Sequence, residues 1–158
     1  MRGKKLKLLL QTLLHNFMNI YFAASIRGGR DDQKIYADII ELLKEFGTVL
    51  TEHFGNAGIT TAAGTGKDVS AIYTQDMAWV TQADVVVAEV TQPSLGVGYE
   101  IGRAEDMGKP ILCLYRETPD RSLSAMIVGN ENVTVKIYKN LEDVRSVFEK
   151  FFQEVKKL

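Results

Sequence analysis

Ala83-Asp-Val-Val-Val-Ala-Glu-Val-Thr-Gln-Pro-Ser-Leu-Gly-Val-Gly-Tyr-Glu-Ile-Gly102 reads as an apolar strand, a Ser/Gly turn, and the start of a helix that carries an internal acid. A turn of this kind offers an anion a ring of backbone N–H groups and the positive end of a helix dipole. Glu100 follows about one turn further in. A phosphate site beside a carboxylate implies nucleotide chemistry.

Outward from this stretch, short apolar runs alternate with amphipathic segments. The strands read as 19–24, 48–52, 84–90, 111–115 and 133–138. Helical spacing joins Ile35, Ile39, Leu42, Leu43 and Phe46, and again Leu141, Val144, Val147, Phe148, Phe151, Phe152 and Val155. Gly47 is positioned to stop the first of these helices, and lysines near the end of the last suit its dipole. Strand–helix alternation of this sort calls for a parallel sheet with crossover helices. The expected fold is α/β: one domain with a doubly wound, five-stranded parallel sheet of the Rossmann-like or flavodoxin-like kind. Ligands of such sheets sit at the carboxyl ends of the strands. The loops to read are therefore 25–30, 53–67 and 91–98, the second running into an Ala/Gly/Thr-rich stretch.

The chain has 158 residues, 46% hydrophobic and 25% charged, enough to bury a real core in one domain. Its net charge of -1 is unevenly spread. Residues 1–17 hold Arg2, Lys4, Lys5 and Lys7 and no acids, which leaves 15 basic against 20 acidic residues in the remainder. That acidic body lacks the basic surface that nucleic-acid binding needs, so no nucleic-acid partner is expected. No run has the roughly 18 apolar residues of a membrane span, and no membrane partner is expected either. The run from Leu8 to Leu14 is broken by Gln11 and Thr12 and is followed by no Ala-x-Ala site. Residues 1–17 read as an extension outside the fold, with the domain running over 18–158. The single cysteine, Cys113, lies in the apolar run Ile111–Leu114, which excludes a disulfide framework and suits a reducing compartment, the cytoplasm and also the nucleus.

Two phosphate motifs fail on spacing. Gly96-Val97-Gly98 would need a third glycine at residue 101, which is Ile101. Gly64-Thr65-Gly66-Lys67 has Thr61 where the first glycine of a P-loop belongs and Asp68 where its Ser/Thr belongs. Ser94-Leu95-Gly96-Val97-Gly98 survives as a monophosphate cradle, and Arg27 in Ser25-Ile26-Arg27-Gly28-Gly29-Arg30 can pair with phosphate at the next strand end. Glu100, near the positive end of its helix, is expected to be ionised. Asp76, in Tyr73-Thr74-Gln75-Asp76-Met77-Ala78-Trp79, supplies a second carboxyl. Two carboxyls about 5 Å apart, one nucleophile and one proton donor, suit glycosidic cleavage through a covalent intermediate. Two histidines and no Cys/His cluster argue against a zinc site.

At these residues the chain resembles the 2'-deoxynucleoside 5'-phosphate N-hydrolases of the Rcl type, relatives of the nucleoside 2-deoxyribosyltransferases. The matching segments are Tyr21 to Arg30, Ala83 to Gly102, Gly108 to Leu114, and Leu123-Ser124-Ala125-Met126-Ile127. The resemblance implies a retaining N-glycosidase that needs no metal or redox cofactor. In it Glu100 would attack the anomeric carbon of a deoxyribose 5-phosphate. Tyr21 would orient Glu100 and crowd the 2' position, and Asp76 would protonate the departing base. Ser25, Arg27, Ser94 and the Gly96 amide would hold the 5'-phosphate, with Ile26 and Met126 as further substrate contacts and His53 on the base side. The resemblance also implies a homodimer in which Ser124 reaches the neighbouring site.

The expected activity is hydrolysis of 2'-deoxynucleoside 5'-monophosphates to free base and 2-deoxyribose 5-phosphate. A deoxyribosyltransferase would use the same carboxylates on unphosphorylated nucleosides, and Arg27, Ser94 and Ser124 favour the phosphorylated substrate. A phosphoribohydrolase would show Pro-Gly-Gly-x-Gly-Thr, which is absent. A non-catalytic nucleotide-binding module is the alternative from another class.

Overall fold

The structure, a computed structural model, describes residues 18–25, 29–51 and 69–157, without the side chains of 29–31. Its elements are β1 (Asn19–Ala24), α1 (Gly29–Leu43), β2 (Thr48–Val49), α2 (Val69–Gln82), β3 (Val85–Glu89), α3 (Leu95–Asp106), β4 (Ile111–Arg116), α4 (Ala125–Val128), β5 (Thr134–Tyr138) and α5 (Leu141–Val155). The five strands are all parallel, in the order β2-β1-β3-β4-β5. The doubly wound sheet expected from the sequence is the sheet observed.

Strands covered on both faces need apolar side chains on both, which explains the unbroken runs of β1, β3 and β4. Ile20, Phe22, Ala24, Val85, Val87, Leu112 and Leu114 point to one face, where α1 and α5 pack Ile39, Leu43, Val144, Phe148 and Phe152. Tyr21, Ala23, Val86, Ala88, Ile111 and Cys113 point to the other, against Val80 of α2 and Val97, Ile101 and Ala104 of α3. Burial pushes the Cys113 thiol up to about 12, so it packs as an inert apolar group. The Phe46 ring stacks on Phe152 at 4.9 Å and joins the end of α1 to α5. Asn140 and Asp143 close a reciprocal cap at the start of α5.

Three boundaries differ from the sequence reading, each for a local reason. Strand β2 spans two residues rather than five, because Thr51 takes over its hydrogen bonding with a side chain. The Thr51 hydroxyl accepts from the Phe22 N–H at 2.9 Å and donates to the Phe22 carbonyl at 2.8 Å. Helix α3 begins at Leu95, so Gly96 and Gly98 lie inside its first turns rather than in a loop before it. The closing lysines, Lys156 and Lys157, fall just beyond α5. Residues 1–17, which the sequence places outside the fold, and the whole of the expected loop 53–67 lie outside the described residues.

Gly47 sits in the tight connection before β2. A Cβ there would stand 2.4 Å from the Met18 carbonyl oxygen, a backbone atom tied to Thr48 N–H at 2.8 Å. Gly47→Ala is therefore expected to destabilise the protein by about 1–3 kcal/mol, as overpacking does. Urea unfolding monitored by circular dichroism measures it.

Because β1 lies between β2 and β3, the chain leaves β1 in one direction and returns to β3 in the other. The carboxyl ends of β1 and β3 border the crevice where sheets of this topology take ligands.

Candidate active site

Tyr21 enters this crevice from β1. Its side chain is fully buried on the α2/α3 face, and its hydroxyl donates to Glu100 Oε1 at 2.8 Å. Glu100 is held there because Ser94 starts α3: the Ser94 side chain accepts from Val97 N–H at 3.4 Å, and Glu100 follows in the second turn. Asp76, half-buried on α2, acts on both residues through its charge.

The α3 dipole does not hold the Glu100 carboxyl at an ordinary pKa. Burial is the largest influence and raises its pKa to about 7; the Tyr21 hydroxyl pulls it down, and the Asp76 charge pushes it up. The dipole's effect falls off within the first turn, while desolvation acts on the whole carboxyl. Glu100 is accordingly poised between acid and carboxylate near neutrality, the range in which catalytic groups are tuned. Tyr21 is driven strongly upward, first by its own burial and then by the charge of Glu100, so it stays a hydrogen-bond donor. Removing that donor in Tyr21→Phe is expected to lift the Glu100 pKa above 7. A ¹³C-carboxyl NMR titration reads the shift.

Ser25 follows the last residue of β1 and is buried. Gly96 is exposed in the first turn of α3, and a Cβ there would meet only Ser94 Oγ, at 3.8 Å. Among the described residues only Gly108 takes a positive φ, so Gly96 and Gly98 serve no backbone requirement. They leave the amino end of α3 bare, which suits close approach of an anion. Ile26, Arg27 and His53 lie outside the described residues.

Ser124 caps α4 and accepts from Met126 N–H at 3.3 Å. With Met126, Ser94, Gly98, Gly102 and Glu105 it lines a cavity of about 420 Å³. Successive helical residues turn by about 100°. Gly98, Gly102 and Glu105 therefore face α4 from one side of α3, while Glu100 leaves the opposite side toward Tyr21 and Asp76. Within one chain Ser94 and Ser124 share a cavity, and the Tyr21–Glu100 pair stands across the helix from it.

Two arrangements escape a reading of the sequence. Tyr73 and Tyr99 share a hydrogen bond at 3.1 Å, joining α2 to α3 beside Asp76 and Glu100. Their positions, three residues before one acid and one before the other, were the available signal. A buried network around Glu89, Thr91, Tyr138, Asp32, Gln92 and Arg116 ties the turn after β3 to α1 and β4. Its members are scattered along the chain and left no local pattern. Among the described residues no group of His, Cys, Asp and Glu is arranged to hold a metal ion, and no helix is long and apolar enough to cross a membrane.

The nucleoside 2-deoxyribosyltransferase family profile matches residues 20–140, a span that contains Tyr21, Asp76, Ser94, Glu100 and Ser124. The chain belongs to this family. A 5-hydroxymethyl-dUMP N-hydrolase of Tetraodon nigroviridis is 47% identical over 145 residues, covering 88% of this chain and 100% of the relative. The enzyme of that name from Rattus norvegicus is 57% identical over 113 residues, covering 70% of this chain and 69% of its own. Among solved structures, the CMP N-glycosidase of Clostridium botulinum matches with a TM-score of 0.57 at 19% identity, covering 83% of this chain and 98% of that one. At that identity the likeness shows the fold, and it agrees with the single α/β sheet described above. As a member of the deoxyribosyltransferase family the chain carries its Tyr21–Glu100 pair on β1 and on α3, the helix that follows β3, beside the sheet's switch point.

Proposed function

We propose that the protein hydrolyses the N-glycosidic bond of 2'-deoxynucleoside 5'-monophosphates, releasing the free base and 2-deoxyribose 5-phosphate. The observation that carries this reading is the Tyr21 hydroxyl bound at 2.8 Å to a Glu100 carboxyl poised near pH 7, with Asp76 in electrostatic reach of both. The relatives named above as 5-hydroxymethyl-dUMP N-hydrolases support the substrate class and make that nucleotide the first to test.

In the first step the Glu100 carboxylate attacks C1' from the face opposite the base. The C1'–N bond breaks, its electron pair leaves with the base nitrogen, and Asp76 protonates that nitrogen with the proton that the coupled Glu100–Asp76 pair shares, carried by Asp76 in the reactive form and by Glu100 in the other. In the second step the Asp76 carboxylate takes a proton from water as the water oxygen attacks C1', which releases Glu100. Tyr21, with its bulk against the sugar and its hydroxyl on Glu100, orients the nucleophile and disfavours a 2'-hydroxyl. Ser25, Arg27, Ser94 and the Gly96 amide grip the phosphate, and this remote binding energy positions C1'.

The working unit is a homodimer in which the partner subunit's Ser124 completes the phosphate grip. Two features support it. Ser124 of one chain lies across α3 from that chain's own Glu100. Beside it Leu95 is 97% exposed and Met126 81%, an apolar edge that a second copy would cover.

Chromatographic detection of free base from a panel of substrates tests the reading. The panel holds 5-hydroxymethyl-dUMP, other deoxynucleoside 5'-monophosphates, their ribonucleotide counterparts and unphosphorylated deoxynucleosides, each with and without a second base. Base release confined to the deoxynucleotides is expected. Sugar transfer to the second base would mark a transferase, and binding without base release a non-catalytic module.

A further inference from the structure

The turn that feeds α3 is anchored residue by residue. Val90 N–H donates to the Leu114 carbonyl at 2.9 Å. The buried Thr91 hydroxyl donates to Glu89 and accepts from Arg116 N–H at 2.8 Å. Gln92 Nε2 donates to Asp32 Oδ2 at 2.9 Å, and the other oxygen of Asp32 takes Arg116 Nη2 at 2.6 Å. Behind them the Tyr138 hydroxyl donates to Glu89 at 3.0 Å. Asp32, only 7% exposed, stands in the first turn of α1. It thus ties the helix that follows β1 to the turn that follows β3, across the ligand crevice.

An ion pair on the open surface would contribute little, but this one is largely removed from water and carries a third partner in Gln92. The Arg116 charge also offsets that of Asp32, so a buried acid beside the crevice does not repel an incoming dianion. Ordering the turn before a ligand arrives lowers the entropic cost of binding.

We propose that Asp32 is a positioning residue for the substrate's phosphate: through Gln92 and Arg116 it sets the turn that presents Ser94 and the amino end of α3. This inference rests on the phosphate-bearing substrate proposed above. Removing a hydrogen bond to a charged group loosens binding by about tenfold or more. Asp32→Ala and Gln92→Ala are accordingly expected to raise, about tenfold and in parallel, the KM for the deoxynucleotide and the dissociation constant of inorganic phosphate. The kcat stays within about threefold, because the bound phosphate still meets Ser94 and the amino end of α3 and so still positions C1', and only the cost of ordering the turn on binding has changed. The double variant is no worse than Asp32→Ala, since the effect of Gln92 passes through Asp32.

Calorimetric titration with inorganic phosphate, run on the full chain beside the base-release assay, separates the two ideas. Unchanged phosphate binding in both variants, losses confined to kcat, or additive losses in the double variant overturn the clamp while the hydrolase stands. Phosphate binding weakened in the variants of a protein that releases no base keeps the clamp and removes the hydrolase. A native chain that neither binds phosphate nor releases base removes both. Should Asp32→Ala not fold, the half-buried Gln92→Ala carries the test alone.

Discussion

Glu100→Gln is expected to abolish base release and to leave the fold intact. The amide keeps the size of the carboxyl and can still accept the Tyr21 hydroxyl, now 2.8 Å from Oε1, but it cannot form the glycosyl ester. The expected loss in kcat is about 10³-fold or more, measured by single-turnover base release. Turnover within tenfold of the native protein in a folded variant would remove Glu100 as the nucleophile. The same variant should be more stable than the native protein at alkaline pH. Glu100 has a folded pKa of about 7 against an ordinary value of 4.5 in the unfolded chain. The native state therefore holds this proton more tightly, and its contribution is fully present below about pH 4.5 and lost as pH rises through 7. With a discount for the half-buried carboxyl's access to water, Glu100→Gln gains on the order of 2 kcal/mol at pH 8. At pH 4, where the native carboxyl is protonated, that gain disappears. Equilibrium unfolding at the two pH values checks the sign. Activity is expected to follow the opposite course: with the Glu100 carboxylate as the proposed attacking form, kcat/KM should fall as pH drops below about 7, which a pH–rate profile measures.

Asp76→Asn carries the second large effect, about 10²- to 10⁴-fold in kcat, the range for a general acid. Its diagnostic feature is selectivity for the leaving group. A deoxynucleotide whose departing nitrogen is already electron-poor, such as a 5-fluoropyrimidine, needs little protonation and should lose far less than a natural base. Equal losses for both substrates would assign Asp76 to holding Glu100 in place rather than to proton transfer. The geometry favours the first outcome: α2 sets Asp76 within electrostatic reach of Glu100 and Tyr21, while the direct hydrogen bond to Glu100 comes from Tyr21.

Much of this was legible in the chain itself. The apolar runs at Tyr21, Val87 and Leu112 declared strands buried on both faces, and Ser94 declared a helix start. The resemblance carried by Ala83–Gly102 named Glu100, and Tyr21 and Asp76 beside it. What the chain did not show was electrostatic and local: helix position gave no sign that burial raises the Glu100 pKa, and strand β2 was read three residues too long because Thr51 looked like one more strand residue. Its hydroxyl replaces the ladder instead.

By itself the sequence determined the order of strands and helices, since apolar runs and helical spacings are properties of neighbouring residues. Through the resemblance it also pointed to Glu100 and Asp76 as the carboxyls to test. Only the tertiary structure decided that Tyr21 meets Glu100 across 79 positions, that burial rather than the dipole governs that acid, and that Asp32 reaches Gln92 and Arg116. Desolvation and long-range hydrogen bonds depend on what the folded chain brings together, and residues that meet at a strand end from three segments leave no pattern along the chain.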